Sequence, residues 1–153
     1  MGIEESTNFR RIDAELTTSG VVGAERLGGL AAEGYELVID LLPHDSPYAV
    51  AGEPDIVRSQ GVEYVSIPVD FEAPTREDLE AFFTAMDASA GRRRHVHCAA
   101  NARVSAFFSL YQLRNGQWSV EQGDELIRGI WDPKEYPVWE AFLAEQRARL
   151  AAG

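Results

Sequence analysis

Two short apolar runs, each introduced by a glycine, constrain the fold of this chain more than any other feature. One reads YELVIDLL over residues 35 to 42, after Gly34, and the other reads VEYVSIPV over residues 62 to 69, after Gly61. Continuous apolar runs of this length, enriched in β-branched side chains, are typical of strands buried on both faces of a parallel sheet. The runs therefore predict two buried strands of a largely parallel sheet.

Helical segments with start and stop signals alternate with these runs. Thr75, with Asp78 three residues later, predicts a capped helix that continues to about residue 89. Ser119 and Gln122 form a second capping-box pattern, for a helix to about residue 131, and Pro137 suits the first turn of a last helix. The other expected elements are helices over about residues 21 to 33, 54 to 60 and 104 to 114, a strand over residues 93 to 97, and one or two edge strands within residues 9 to 20. This alternation predicts an α/β fold with a mainly parallel central sheet of four or five strands, flanked by helices.

Length and composition predict one globular domain over residues 1–153, because a chain of this size with 45% hydrophobic residues can bury its own core. Cys98 is the only cysteine, which excludes an internal disulfide and a cysteine-rich metal site. The start of the chain has no apolar signal segment, and no stretch approaches the roughly 18 apolar residues of a membrane span. We therefore expect a cytoplasmic protein that does not act on a membrane.

The charge balance argues against nucleic acid as a partner. The formal net charge is −11, and Lys134 is the only lysine. Binding to DNA or RNA depends largely on basic residues that neutralise phosphates.

The C-terminal aromatic residues are expected to serve packing rather than recognition; they are Trp118, Trp131, Tyr136 and Trp139.

The segment HCAANARVS, residues 97 to 105, carries the chemistry of this chain. It places Cys98 at the carboxyl end of an expected strand and directly before an expected helix, where α/β sheets bind their ligands. The first turn of a helix has N–H groups without intrahelical partners and a partial positive charge, so it binds anions and stabilises a thiolate, the nucleophilic form of cysteine. An anion site is therefore predicted, with a buried, inert cysteine as the alternative.

The residues that follow the cysteine suit a loop whose backbone meets the ligand. Ala99, Ala100 and Ala102 are small, and Asn101 tolerates a left-handed backbone conformation that most side chains avoid. Arg103 carries a planar guanidinium, which can bind a tetrahedral oxyanion through two parallel hydrogen bonds. We expect these five residues to form a phosphate-binding loop.

At these residues the chain resembles the cysteine-dependent protein tyrosine and dual-specificity phosphatases, particularly compact bacterial phosphatase-like proteins near the beta-lactamase hydrolase-like family. The segments NFRRID, YELVIDL, EYVSIPVDFEAPT and HCAANARVS carry the resemblance, which covers most of the chain. It implies a phosphotyrosine protein phosphatase-like fold and a phosphorylated protein or small molecule as substrate. It also implies that neither a cofactor nor a metal takes part.

The resemblance implies a phosphocysteine mechanism. Cys98 attacks the phosphorus, while Arg103 and the loop amides hold the phosphate oxygens. Asp70 matches the acid that protonates the leaving group and then activates water, a role that contributes about 10² to 10⁴-fold in rate. Asp70 could equally be a turn residue before the segment FEAPT, with no part in catalysis. Glu72 is the reserve candidate for the acid.

Two further residues match supporting positions of the family. His97 resembles the histidine that precedes the nucleophile and orients the loop, and a satisfied core histidine is its alternative. Ser105 resembles the hydroxyl residue that stabilises the leaving thiolate, and helix capping is its alternative. For His95 and His44 the sequence indicates no partner.

The loop departs from the family pattern in length. Four residues separate Cys98 from Arg103, where the family has five. Aligned without a gap, Asn101 takes the family's glycine position and Val104 replaces the arginine. Aligned with one deletion, Arg103 is the phosphate arginine, and the loop has the six-residue length of rhodanese-like sulfurtransferases. A displacement by one residue on a helix is a rotation of about 100°, so the two alignments predict different directions for the guanidinium.

Three functions follow from these alternatives. The first is hydrolysis of a phosphate monoester, with Arg103 in the phosphate site and Asp70 as acid. The second is a phosphatase-like module with weak or no turnover that binds an anion or a protein partner, which the ungapped position of Val104 suggests. The third is a sulfurtransferase that carries a persulfide on Cys98, which the loop length alone suggests.

Overall fold

A computed structural model of the protein describes residues 2–152, and within them the strands form one five-stranded sheet. In chain order the strands are β1 (Arg10–Arg11), β2 (Leu16–Ser19), β3 (Leu37–Asp40), β4 (Glu63–Ser66) and β5 (Arg94–His97). They lie side by side in the order β1-β2-β5-β3-β4, with β1 antiparallel to β2 and the other pairs parallel. The predicted α/β fold with a mainly parallel sheet is confirmed.

The parallel register brings the carboxyl ends of three strands to the same level. His97, the last residue of β5, pairs with Ser19 of β2 on one side and with Asp40 of β3 on the other. β5 is the middle strand of the sheet, and Cys98 follows it directly. The loop after β5 therefore opens at the centre of the sheet edge where α/β folds bind ligands.

The helices flank this sheet as predicted. They are α1 (Ala24–Leu27), α2 (Glu53–Arg58), α3 (Arg76–Ala88), α4 (Ala102–Arg114), α5 (Val120–Arg128) and α6 (Pro137–Ala152). Both predicted caps are present, since the Thr75 side chain accepts the N–H of Asp78 and the Ser119–Gln122 pair forms a complete capping box. None of the helices within residues 2–152 has the length and apolar character that crossing a membrane requires.

Three details differ from the prediction. α1 is one turn long and gives way to turns at Gly28 and Gly29, because each glycine costs a helix about 1 kcal/mol. α5 ends at Arg128, before Gly129, rather than near residue 131. β2 is not an edge strand, since it pairs with β5 as well as β1. Local sequence patterns identify strands but do not say which strands become neighbours.

Both faces of the sheet are covered. Leu37 and Ile39 of β3 belong to a core cluster that contains buried residues of α3 to α6, whereas Val38 belongs to a second cluster with residues of α1 and α2. Successive side chains of a strand point to opposite faces, so the two clusters lie on opposite sides of the sheet. The loop after β5 runs from this doubly packed sheet into α4, which gives it a rigid base.

Candidate active site

Asn101 turns the chain from β5 into α4. It is the N-cap residue of α4 and has the predicted left-handed conformation, with φ of 69°. Its side chain is fully buried and donates to the carbonyl oxygen of Asn8 (2.9 Å) and to Thr18 Oγ1 (3.1 Å). Asn101 therefore shapes the loop and holds it from behind, and its side chain does not face the ligand side.

Within residues 2–152, the backbone N–H groups of residues 99 to 104 have no acceptor. The Cys98 N–H donates to the Ser19 carbonyl at 3.3 Å, and the Ser105 N–H donates to the Asn101 carbonyl at 2.9 Å. Between them, no N–H group from Ala99 to Val104 donates to an acceptor within residues 2–152. These groups combine the open donors of a helix start with those of the preceding loop, an arrangement that suits an anion.

A cavity of about 860 Å³ opens at this loop. Its loop side is formed by Cys98, Ala99, Ala100, Ala102 and Arg103. Cys98 has no solvent-exposed surface, so it belongs to the floor of the cavity. Val104 is buried in the core among residues of the α3 to α6 side. The structure thus brings Cys98 and Arg103 to one cavity and turns Val104 away from it.

The segment after β4 holds the Arg103 side chain. Nη1 donates to the Val69 carbonyl oxygen at 2.9 Å, and the guanidinium carbon lies 5.4 Å from the centroid of the Phe71 ring. Stacking and hydrogen bonding together fix the plane of the guanidinium. The buried Nε of Arg103 has no partner in the described part of the chain. The guanidinium therefore retains donors that an oxyanion could use.

Asp70 lies outside the cavity that contains Cys98. It is exposed, and its Oδ1 accepts the N–H of Glu72 at 2.9 Å, which is the turn geometry given as its alternative interpretation. Asp70 lines a neighbouring cavity of about 640 Å³, which shares Arg103 and Phe71 with the first. The structure brings Asp70 close to the arginine but does not place it beside Cys98. Glu72 is exposed and lines neither cavity.

Ser105 lies inside α4 and is not its cap. Its Oγ donates to the Ala102 carbonyl at 2.9 Å and accepts the indole N–H of Trp131 at 3.0 Å. Helix capping, the structural alternative for Ser105, is therefore wrong. The hydroxyl links the base of the loop to an aromatic wall of the cavity.

That wall is built from three aromatic rings. Phe71, Trp131 and Tyr136 all line the cavity, with ring centroids 5.2 to 5.9 Å apart. Trp139 is a packing residue as predicted, since it is buried and donates to the Phe71 carbonyl at 2.7 Å. Trp131 also packs against the core as predicted, and its ring and that of Tyr136 contact each other and Phe71 while lining the cavity.

His97 supports the loop from the sheet side. Its Nε2 lies 2.5 Å from Glu53 Oε2 and 3.7 Å from Asp40 Oδ1, and its Nδ1 lies 3.3 Å from the carbonyl oxygen of Cys98. Burial opposes a charge on the ring, but the hydrogen bond to Glu53 and the charges of Asp40 and Glu53 outweigh it and raise the pKa of His97 to about 9. The surroundings of His97 therefore favour its protonated form, and the ring contacts the start of the loop.

Asp40, Glu53 and His97 also place one potential metal-ligating atom each within 4.8 Å of one another. These atoms already have partners: the His97 ring faces Glu53, and the Asp40 carboxylate accepts the Tyr64 hydroxyl at 2.6 Å and the Leu42 N–H at 2.9 Å. We interpret the group as a buried ion-pair cluster. Sequence reasoning missed both carboxylates, although an aspartate that ends the apolar run YELVID is an unusual residue for a buried strand.

The loop has further supports that the sequence did not indicate. Asn8 donates from its side chain to the Ala100 carbonyl at 2.9 Å, and the Val21 N–H donates to the Ala99 carbonyl at 2.8 Å. Gly20 packs directly on the loop, since a Cβ there would lie 2.3 Å from the Ala99 oxygen. The segments before β1 and after β2 thus fix the loop at both of its middle carbonyls.

Comparisons with known proteins agree with this fold. Residues 3–135 match the family model described as DSP-PTPase phosphatase fused to NAD+ kinase. A DUF442 protein of Shewanella putrefaciens, provisionally designated a phosphatase, is 36% identical, with a TM-score of 0.88 over 97% of this chain and 96% of that one. TpbA of P. aeruginosa, solved in complex with phosphotyrosine, is 16% identical, with a TM-score of 0.71 over 95% of this chain and 91% of that one. The catalytic domain of the S. cerevisiae phosphatase SIW14 is 16% identical, with a TM-score of 0.69 over 96% of this chain and 92% of that one.

No match is found among curated proteins. The two structures at 16% identity show a shared fold alone, whereas the family model and the Shewanella relative cover most of the chain at sequence level. The chain therefore belongs to the DSP-PTPase phosphatase family described as fused to NAD+ kinase, within the superfamily of cysteine-dependent tyrosine and dual-specificity phosphatases that its loop resembled.

Proposed function

We propose that the protein hydrolyses a phosphate monoester, of a protein or a small molecule, through a phosphocysteine intermediate on Cys98. One observation carries the proposal: Cys98 and Arg103 line the same cavity, at a loop whose N–H groups have no acceptor within residues 2–152. A phosphoryl group needs a nucleophile in line with its leaving oxygen and fixed donors for its other oxygens. Family membership supports the same reaction class.

In the first step the Cys98 thiolate attacks phosphorus, and the bond from phosphorus to the leaving oxygen breaks. Arg103 and the N–H groups of the loop hold the three remaining oxygens as charge shifts on to them. In the second step water attacks the phosphocysteine and gives a proton to the carboxylate that protonated the leaving group, and the sulfur–phosphorus bond breaks. Inorganic phosphate leaves and the thiolate is restored, so that atoms and charge balance over the cycle.

The leaving oxygen needs a proton, and Asp70 is the proposed donor. Its turn is exposed and is connected to the phosphate site through its neighbour Val69, whose carbonyl accepts the Arg103 Nη1 bond. The proposal requires this turn to move toward Cys98 when substrate binds, across the guanidinium that the two cavities share. Asp70→Asn is then expected to slow esters with poor leaving groups far more than those with good ones.

A second candidate function is a phosphatase-like module that binds phosphate or a partner with weak or no turnover. Two observations favour it: Cys98 has no exposed surface, and Asp70 lies outside the Cys98 cavity. The sulfurtransferase alternative has only the loop length in its support, and membership of a phosphatase family argues for phosphoryl chemistry instead.

Hydrolysis of p-nitrophenyl phosphate separates these functions. We expect turnover by the wild type, none by Cys98→Ser, and a loss in Arg103→Ala that Arg114→Ala, at the far end of α4 and paired with Asp87, does not share. Phosphate binding without turnover by the wild type would support the module. A sulfur adduct on Cys98 after thiosulfate treatment, seen by mass spectrometry, would support the sulfurtransferase. Turnover that survives Cys98→Ser would sink the phosphocysteine mechanism.

A further inference from the structure

We propose that Glu53 and Asp40 are positioning residues of this site: they keep His97 as a doubly protonated imidazolium, which donates to the Cys98 carbonyl and so fixes the start of the phosphate loop. The inference rests on the proposed function, because it concerns how the nucleophile of that reaction is held. It gives a role to two buried carboxylates that are distant from the loop in sequence.

The hydrogen-bonding geometry suits a ring that carries both protons. Nδ1 of His97 faces the Cys98 carbonyl oxygen at 3.3 Å, and a carbonyl oxygen can only accept. Nε2 faces Glu53 Oε2 at 2.5 Å, and an ionised carboxylate also only accepts. A neutral imidazole has one N–H group and could satisfy one of these acceptors. With Glu53 ionised, both contacts are met only by the cation.

Asp40 is the second carboxylate near the His97 ring, and both of its oxygens accept hydrogen bonds. Its Oδ1 lies 3.7 Å from His97 Nε2, within ion-pair distance, and accepts the Leu42 N–H at 2.9 Å. Its Oδ2 accepts the Tyr64 hydroxyl at 2.6 Å. These bonds suit an ionised carboxylate that keeps all its lone pairs for acceptance. Asp40 and Glu53 are both at least 97% buried, so their attraction to the imidazolium is weakly screened.

His95 provides an internal comparison on the same strand. It is as buried as His97, and the two rings stack with centroids 6.2 Å apart. Its nitrogens face the hydroxyls of Thr17 and Ser19, each at 2.8 Å, and hydroxyls can donate or accept. Burial and the nearby charge of His97 lower the pKa of His95 well below its usual range. The partners, and not the burial, therefore decide which of the two histidines is charged.

The charge has a consequence for the reaction. The Cys98 carbonyl is the last group before the loop of free N–H donors, so the bond from His97 fixes the start of that loop. Glu53 reaches this place from the first turn of α2, which makes α2 part of the support of the phosphate loop.

Glu53→Gln tests the inference, because the amide keeps the shape and a hydrogen bond but removes the charge. Asp55→Asn is the matched control, since Asp55 is an exposed carboxylate in the same helix. Two-bond ¹⁵N–¹H spectra of the histidine rings are recorded at pH 7.5 on labelled protein. We expect one imidazolium pattern with two protonated nitrogens in the wild type and in Asp55→Asn, and its loss in Glu53→Gln.

The kinetic readout is the pH profile of kcat/KM for p-nitrophenyl phosphate. We expect the wild type to lose kcat/KM as the pH rises through 9, where His97 loses its proton. Glu53→Gln should lack that decline and have a kcat/KM about tenfold lower at pH 7, the cost of one charge-assisted hydrogen bond to the loop. Glu53→Asp, which keeps the charge, should restore most of the loss. If Glu53→Gln does not fold, two other variants give the same comparison. Asp40→Asn removes one carboxylate charge from the cluster, whereas Glu53→Asp keeps both charges.

An imidazolium that persists in folded Glu53→Gln, or is absent from the wild type, overturns the inference. So does a kcat/KM profile of Glu53→Gln that keeps its wild-type shape. Absence of turnover by the wild type would instead defeat the proposed function, and the ring spectra would still decide whether Glu53 holds the charge on His97.

Discussion

Gly20 allows the closest backbone approach in the candidate site, and adding one methyl group there tests how tightly the phosphate loop is held. A Cβ at this position would lie 2.3 Å from the Ala99 carbonyl oxygen and 2.7 Å from the Ala100 Cα. Contacts under 3.0 Å are essentially never made by real Cβ atoms, and both neighbours here are backbone. Gly20→Ala must therefore displace the loop or the end of β2.

The expected cost follows from these contacts. Overpacking of a tight interior costs about 1–3 kcal/mol. A displaced loop also weakens the 2.8 Å bond from the Val21 N–H to the Ala99 carbonyl, worth about 1 kcal/mol. We expect the free energy of unfolding to fall by about 2–4 kcal/mol. Because a displacement of about 1 Å can cost on the order of 100-fold in rate, kcat/KM should fall by about that factor.

Urea unfolding and p-nitrophenyl phosphate hydrolysis measure the two effects. Gly28→Ala is the matched control, since Gly28 has φ of −66° and its nearest contact would be the Glu25 carbonyl oxygen at 3.4 Å. That change should alter stability by no more than about 1 kcal/mol and leave activity unchanged. A Gly20→Ala protein with wild-type stability and activity would refute the idea that the loop is pinned between Gly20 and α4.

The remaining predictions concern three other residues of the site. Arg103→Lys keeps the charge but loses the planar fork, so kcat/KM should fall by about 10² to 10³-fold with an unchanged circular dichroism spectrum; near-normal turnover would remove Arg103 from the phosphate site. Asn101→Ala should be less stable in urea than Asn101→Gly by about 1 kcal/mol, because only glycine adopts the left-handed conformation freely; the reverse order would contradict that conformation. His97, with its pKa raised to about 9, should add stability that is complete below about pH 6.5 and is lost as the pH rises through 9. Stability measured against pH should therefore decline more steeply over this window in the wild type than in Glu53→Gln, and parallel curves would count against a charged His97.

Local signals predicted most of the fold because they depend on short stretches of chain. The caps at Thr75 and Ser119 and the apolar runs of β3 and β4 are decided within a few residues, and all of them are present in the structure. The position of β2 inside the sheet was missed, since pairing with β5 joins residues that are far apart along the chain. The position of Trp131 and Tyr136 beside the cavity was not predicted for the same reason, because a loop side chain takes its direction from the elements it packs against.

The direction of Arg103, by contrast, could have been read from the sequence. Val104 begins an apolar stripe on α4 that continues with Phe107, Phe108 and Tyr111, at the spacing of one helical face. A residue on that stripe must face the core, as Val104 does, and the preceding residue is rotated by about 100° from it. The helical pattern thus favours the alignment with one deletion, in which Arg103 and not its neighbour meets the cavity.

The proposed charge on His97 could not have been predicted in this way. In the sequence His-Val-His the two histidines are equivalent: they point to the same face of one strand and become equally buried. What separates them is that β2 supplies hydroxyls to His95, whereas β3 and α2 supply carboxylates to His97. These partners arrive only when the strands take their order and α2 packs on the sheet. A short motif can therefore name the nucleophile, while the electrostatic setting of that nucleophile is a property of the assembled fold.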